Sequence, residues 1–278
     1  MKSDSPENWV GRHIRTLDNI SELLCSRMAA TFNIAKLKQY ADLPALWHWA
    51  FFQDPASQDG LGPDGHPNVS AFIPGVEGCA RMWAGGRVKF LEPLKVGLDA
   101  SRESSIIKVV EKEGRSGRLI FVTVQHEIYQ EGVMCISEEQ DIVYRPPAPV
   151  RIEPKPFEEA FDWVEAVEPT PTLLFRYSAV TFNAHRIHYD WPYATEEESY
   201  PDLVVHGPLI ATLLMRAFVD ANPDLRPTYL SYRGLRPLTA EQTFKVSGRH
   251  LGDGKAALWA FNNNGLAHQA ELQFEEKS

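Results

Sequence analysis

Residues 175–193 of the chain read FRYSAVTFNAHRIHYDWPY, and residues 204–218 follow as VVHGPLIATLLMRAF. Three of the nine histidines, His185, His188 and His206, fall here, and Asn183 stands five positions before His188. Histidine transfers protons near neutral pH, and an asparagine amide can both accept from and donate to a water. His206-Gly207-Pro208 opens an apolar segment as a helix start would. Proline in the first turn gives up no N–H that the helix uses, and glycine lets a ligand approach the backbone. The unpaired N–H groups and partial positive charge of a helix N-terminus suit a developing oxyanion. The set could therefore supply a base, a water-orienting amide and an oxyanion hole. Other readings of the same residues stay open. His185 and His188 could ligate zinc, although no third ligand lies nearby at the usual spacing. His206 and His185 could be structural, and Asp190 could either cap the next short helix or orient a histidine.

These residues need elements to hold them. LLFRYSAV (173–180) looks strand-like and TFNAHRIHYD forms a loop at its end; DWPYATEEESYPDLVV reads as a short helix and loop, and a buried helix runs on from Gly207. A strand series follows: TYLSYRGLRPL, EQTFKVSGRHL, KAALWAFNN and LAHQAELQF. A similar series occupies residues 81–145, with hairpin connections at EGRSGR (113–118) and YQEG (129–132), preceded by helical material at SELLCSRMAATFN (21–33). GRVKFLEPLKVG (86–97) resembles LSYRGLRPLTAE (230–241), a weak repeat of about 145 residues. The Pro-rich stretch YRPPAPVRIEPKPFEEA (144–160) excludes helix and interior strand, and reads as an extended linker. The expected organisation is α+β: a first unit over 1–145, a linker over 146–170 and a second unit over 171–278. Each antiparallel sheet would wrap a central helix, and the two could lie side by side as one continuous sheet.

The bulk properties narrow the partners. A formal net charge of -9 argues against nucleic acid or anionic membrane as a partner. Cys25, Cys79 and Cys135 form no C-x-x-C pair, so a reducing, cytoplasmic setting is expected. The first twenty residues are too polar for a signal peptide, and no stretch matches a membrane span. No P-loop, dinucleotide or flavin fingerprint is present, so no redox or nucleotide-hydrolysing role is suggested.

TFNAHRIHYD followed by VVHGPLIATLL resembles the hydratase motif of the MaoC-like family of hot-dog-fold enzymes, which act on acyl thioesters. In that motif Ser-Gly-Asp and Asn-Pro-x-His-x-Asp precede a His-Gly that opens the central helix. The resemblance implies a fused double hot-dog with the catalytic motif once, in the C-terminal half. It places His188 as the catalytic histidine and Gly207 at the oxyanion hole. Asn183 stands where most of the family has aspartate, and His185-Arg186 replace Asn-Pro. This variant is similar to the branch of mitochondrial-type 3-hydroxyacyl-thioester dehydratases and bacterial mesaconyl- or itaconyl-CoA hydratases. LWHWAFF, LGPDGHP, RMWAGGRVKF, EKEGRSGRLIFVTVQHEI and EEQDIVYR extend the likeness through the first half.

The resemblance implies reversible hydration of an α,β-unsaturated acyl-CoA, with itaconyl-CoA or mesaconyl-CoA giving citramalyl-CoA. His188 would be the base and Asn183 would position water, with His185 and His206 alongside the substrate. Arg186 is the first candidate to pair with a free acyl carboxylate. Arg81, Arg87, Arg233 and Arg236 are candidates for the coenzyme A phosphates, each also readable as a surface charge. No metal and no cofactor are expected, coenzyme A being part of the substrate. Competing readings are a 3-hydroxyacyl-thioester dehydratase of fatty acid metabolism, a thioesterase and a non-catalytic acyl-CoA-binding protein. The thioesterase reading would want a carboxylate on the central helix, where Leu203–Val219 has none. A homodimer joined through outer sheet edges is one assembly open to the chain.

Overall fold

The alternation of buried and half-buried residues along GRLIFVTVQHEIYQ shows a long strand with one face turned to a core. The computed structural model describes residues 6–67, 72–73, 75–76, 78–114, 117–146 and 156–277. Within them the strands are β1 (His13–Asn19), β2 (Ala80–Phe90), β3 (Asp99–Gly114), β4 (Gly117–Gln130), β5 (Val133–Arg145), β6 (Trp163–Val167), β7 (Leu225–Gly234), β8 (Phe244–Gly252), β9 (Lys255–Asn262) and β10 (Gly265–Glu276). The helices are α1 (Glu22–Thr31), α2 (Pro171–Val180) and α3 (Gly207–Ala221). All ten strands join one antiparallel sheet in the order β1-β3-β4-β5-β2-β7-β10-β9-β8-β6. No helix among the described residues is long and apolar enough to cross a membrane.

That order is the same five-strand topology written twice, head to head: 1-3-4-5-2 against 6-8-9-10-7. The halves meet where β2 pairs β7, with Arg87 opposite Ser231. Arg87 and Ser231 are separated by the same number of positions as Pro93 and Pro237 in the sequence repeat. The local two-fold therefore runs through that pair. Leu94 and Leu238, which follow the repeated prolines, are both buried. The sheets of the expected double hot-dog are thus joined edge to edge.

The second half wraps its sheet around α3, whose sequence GPLIATLLMRAFVDA is apolar on nearly every side and packs on β6, β7, β8 and β9. Leu209, Ile210 and Phe218 are completely buried, each worth about 1.5–3 kcal/mol of transfer free energy. In the first half the place before β2 holds a 3₁₀ turn at Trp47–Ala50 instead of a long helix. Buried Trp47, Phe51 and Phe52 fill the space.

Two local expectations are corrected. LLFRYSAV lies in the helix α2, because Thr170 caps it by accepting from the Leu173 N–H at 3.2 Å and Pro171 sits in its first turn. Leu174, Tyr177 and Ser178 then fall on one buried face, at helical spacing. The span given to the linker also contains β6, which pairs β8 and has no proline to prevent it; residues 147–155 lie outside the described ones. The YQEG hairpin stands as expected, with Glu131 and Gly132 both at positive φ as a two-residue type I′ turn requires.

Candidate active site

The motif loop is built by local hydrogen bonds. After α2 ends, the Asn183 N–H donates to the Ser178 carbonyl at 2.8 Å, and the Asn183 Oδ1 accepts from the His185 N–H at 3.0 Å. Arg186–His188 form a 3₁₀ turn. Asp190 Oδ1 accepts from the Tyr193 N–H at 3.3 Å, the capping role among its two open readings. Val204 then returns to the motif, its N–H donating to the Ile187 carbonyl at 2.9 Å, before His206 leads into α3.

The Val204 carbonyl determines the protonation of His188. It lies 2.7 Å from Nδ1. A carbonyl can only accept, so Nδ1 carries the hydrogen and Nε2 keeps its lone pair. His188 is 7% exposed. Burial, with the neighbouring His185, lowers its pKa to about 3, so it is neutral at pH 7. Its ring stacks on His206, with centroids 3.6 Å apart and planes 18° from parallel. His206 is fully buried, shares a 2.8 Å hydrogen bond with Ser178 Oγ, and is held well below the ordinary histidine range by burial. His206 therefore lies as a platform under His188, with Ser178 as its anchor.

A second pair arrives from the other half. His66 Nδ1 donates to Asp64 Oδ2 at 2.9 Å, and the His66 ring lies 4.3 Å from that of His185, which in turn is 5.4 Å from His188. Burial, then the charge of His66, lowers His185 to about 3. Burial would raise the Asp64 carboxyl, but the hydrogen bonds from His66 outweigh it and bring it to about 2. The Gly62–Pro67 loop is held against the motif by the Arg186 N–H, which donates to the Asp64 carbonyl at 2.9 Å. Gly65, at φ +88°, fits so closely that a Cβ would stand 1.9 Å from the Ala184 carbonyl oxygen. Asp64, His66 and His185 bring one ligating atom each within 4.8 Å of one another. The Asp64–His66 hydrogen bond accounts for one of these three separations, and the contact between the His66 and His185 rings for another.

At the helix end, the His206 side chain makes no capping bond, so the first-turn N–H groups of α3 keep their electrostatic pull on an anion. Gly207 abuts Trp83: a Cβ there would meet the indole at 2.8 and 3.2 Å. Trp83 belongs to an aromatic group with Trp49 and Tyr232, at 5.2 and 4.7 Å between ring centroids. Behind it, buried Glu138 accepts from Trp49 Nε1 at 2.8 Å, His48 Nε2 at 3.0 Å and Gln140 Nε2 at 3.0 Å.

His185, His188, His206 and Gly207 thus converge, with Asn183 at the rim of the same loop. Asn183 differs from expectation in that its Oδ1 is engaged by the backbone. Arg186 is turned away: it pairs with Asp190 at 2.7 Å, donates to the Pro63 carbonyl at 2.8 Å and covers the Tyr193 ring at 4.1 Å. With its donors spent on the surface, it is not the cation for an acyl carboxylate. Arg87 is likewise occupied by Glu139 and Asp141, and Arg236 by Asn262 and backbone carbonyls. Asp64, His66, Ser178 and Trp83 went unselected in the sequence. For the first two the available signal was Asp64-Gly65-His66, in which an aspartate two positions before the histidine bonds both its backbone N–H and its ring.

The family model for hydroxyacyl-thioester dehydratase type 2 matches residues 46–240. A mesaconyl-C(4)-CoA hydratase of Chloroflexus aurantiacus is 46% identical over 253 residues, covering 88% of this chain and 89% of that protein. The mitochondrial hydroxyacyl-thioester dehydratase type 2 of Schizosaccharomyces pombe is 28% identical, covering 74% and 78%. Among solved structures, a MaoC-like dehydratase from Phytophthora capsici superposes with a TM-score of 0.72 over the full length of both chains, at 13% identity, which is a likeness of fold. A helix N-terminus open to an anion, a neutral histidine of defined tautomer beside it, and these matches together place the chain in the hydroxyacyl-thioester dehydratase type 2 family of MaoC-like, hot-dog-fold hydro-lyases.

Proposed function

We propose that this chain catalyses the reversible addition of water to the double bond of a C5 dicarboxylic α,β-unsaturated acyl-CoA, with mesaconyl-CoA the preferred substrate and citramalyl-CoA the product. The observation that carries this reading is the Nδ1–H bond from His188 to Val204, which leaves Nε2 as a base beside the α3 N-terminus. The 46% identity to a mesaconyl-C(4)-CoA hydratase supports the acyl group.

In the hydration direction His188 Nε2 takes a proton from water while the water oxygen bonds to the β-carbon. The π electrons move onto the thioester carbonyl, whose oxygen becomes enolate-like. The Gly207 N–H and the helix field stabilise that oxygen; one comparable donor is worth about 2.7–4 kcal/mol of barrier. The imidazolium then returns the proton to the α-carbon, which balances the addition of one water. Burial that disfavours charged His188 makes the protonated intermediate a ready acid. Asn183 would orient the water through its amide nitrogen, its oxygen being bonded to the loop.

The test is loss of enoyl-thioester absorbance with mesaconyl-CoA, itaconyl-CoA and crotonyl-CoA, alongside a thiol assay. Turnover of the dicarboxylic thioesters without thiol release supports the proposal. Turnover of crotonyl-CoA alone would move the assignment to fatty-acyl dehydration. Thiol release would mean hydrolysis, a reading disfavoured by the absence of any carboxylate from Leu203 to Val219.

A further inference from the structure

A dicarboxylic substrate brings a second negative charge into a half-buried site, and with Arg186 turned outwards its counter-charge must come from elsewhere. We propose that Arg81 is the specificity residue: its guanidinium pairs with the free carboxylate of the acyl group. This rests on the dicarboxylic reading given above.

The placement follows from strand register. On β2, Arg81 stands opposite Tyr144 and Trp83 opposite Ile142. Tyr144 and Ile142 are both buried in the smaller of the two core clusters, while Trp83 packs against the larger one; directly paired residues share a face. Arg81 and Trp83 therefore both point inwards. Trp83 is the residue against Gly207, so Arg81 is the next inward side chain along the strand, about 6.6 Å away. Its charge also reaches the other wall of the site, since it bears on His185.

No carboxylate of the described residues forms an ion pair with Arg81, in contrast to Arg87 and Arg186. Asp64, the carboxylate beside His185, is bonded to His66. Arg102, another inward cation, donates to the Phe52 carbonyl and faces Glu138 and Asp18, so its charge is already compensated. Among the described residues, Arg81 is thus a half-buried cation beside the site with no carboxylate paired to it.

The ligand geometry agrees. In an enoyl thioester carrying its carboxylate on the β-carbon, two C–C single bonds of about 1.5 Å and the shorter double bond between them place the carboxylate carbon about 4 Å from the thioester carbonyl carbon. With the carbonyl oxygen at Gly207, a carboxylate that far along β2 falls within reach of an arginine rooted one strand repeat away. The planar fork can bind it through two parallel hydrogen bonds.

The experiment compares wild type, Arg81→Met and Arg81→Lys on mesaconyl-C(4)-CoA and crotonyl-CoA, with thermal unfolding of each protein. The expected result for Arg81→Met is a fall of roughly 10²–10³ in kcat/KM on the dicarboxylic thioester, from loss of a buried charge pair. On crotonyl-CoA the change should stay within about threefold. Arg81→Lys keeps the charge without the fork and should recover part of the loss; if the methionine variant does not fold, the lysine variant alone must still show the split between substrates. Equal losses on both substrates, or none on either, would overturn the role of Arg81 while leaving the hydratase intact. A wild-type protein that hydrates crotonyl-CoA and ignores the dicarboxylic thioester would overturn the substrate reading and this proposal with it.

Discussion

Replacing His188 with asparagine separates its chemical role from its structural one. The ring does two things: Nδ1 satisfies the buried Val204 carbonyl at 2.7 Å, and Nε2 provides the lone pair. An asparagine amide nitrogen lies as many bonds from Cβ as Nδ1 does, so His188→Asn can keep the hydrogen bond to Val204 while removing the base. His188→Ala removes both and also leaves His206 without the ring stacked on it. An unsatisfied buried acceptor costs about 1–3 kcal/mol, so the alanine variant should unfold about that much more easily than the asparagine variant in urea. Both should lose the proton transfer, roughly 10²–10⁴-fold in kcat, equivalent to about 2.7–5.4 kcal/mol of barrier. The assay is enoyl-thioester hydration at saturating substrate, with urea unfolding of the same samples. A folded His188→Asn protein that retains activity within a few-fold would refute the assignment of the base.

Gly207→Ala puts a methyl 2.8 Å from the Trp83 ring, which is itself held by Trp49 and Tyr232; the expected cost is about 1–3 kcal/mol of stability and about 10²-fold in kcat, and unchanged kinetics would remove Gly207 from the oxyanion hole. Ser178→Ala takes the partner from His206 Nε2 at 2.8 Å, so stability should fall by about 1–3 kcal/mol with kcat reduced less than by His188→Asn; a larger kinetic than structural effect would mean Ser178 touches the substrate. Burial lowers His126 to about 4 and His188 to about 3, from an ordinary 6.5. Such groups cost nothing above pH 6.5 and destabilise as pH falls below it, because the unfolded chain takes up protons that the native one refuses. Each should withdraw about 2 kcal/mol by pH 5, read as a falling urea midpoint, and a midpoint independent of pH between 7 and 5 would contradict their neutral burial. While the protein stays folded, kcat/KM should show no acid limb near pH 6.5, since the base is already neutral there.

Much of the molecule can be read from residue order. The alternation in β4, the Glu131-Gly132 turn, the apolar run of α3 and the repeated Pro-Leu pair are local or periodic, and the structure bears them out. Thr170-Pro171 announced a helix where the apolar run suggested a strand: a short run fits either period, and the cap decides. The motif brings His185, His188, His206 and Gly207 into one place because a single turn and one return of the chain suffice. Other features depended on partners far along the chain. The tautomer of His188 comes from a carbonyl sixteen positions away, His66 and Asp64 arrive from the opposite half, and Trp83 meets Gly207 only because the folded sheet brings β2 beside the start of α3. Arg186 had the right charge in the right motif, yet Asp190 and the Pro63 carbonyl drew it outwards. Residue types and spacing determine which chemistry is available and which face of an element is buried. Strand register and the competition among neighbours for each hydrogen bond determine which side chains meet the substrate, and those contacts exist only once the two halves have packed.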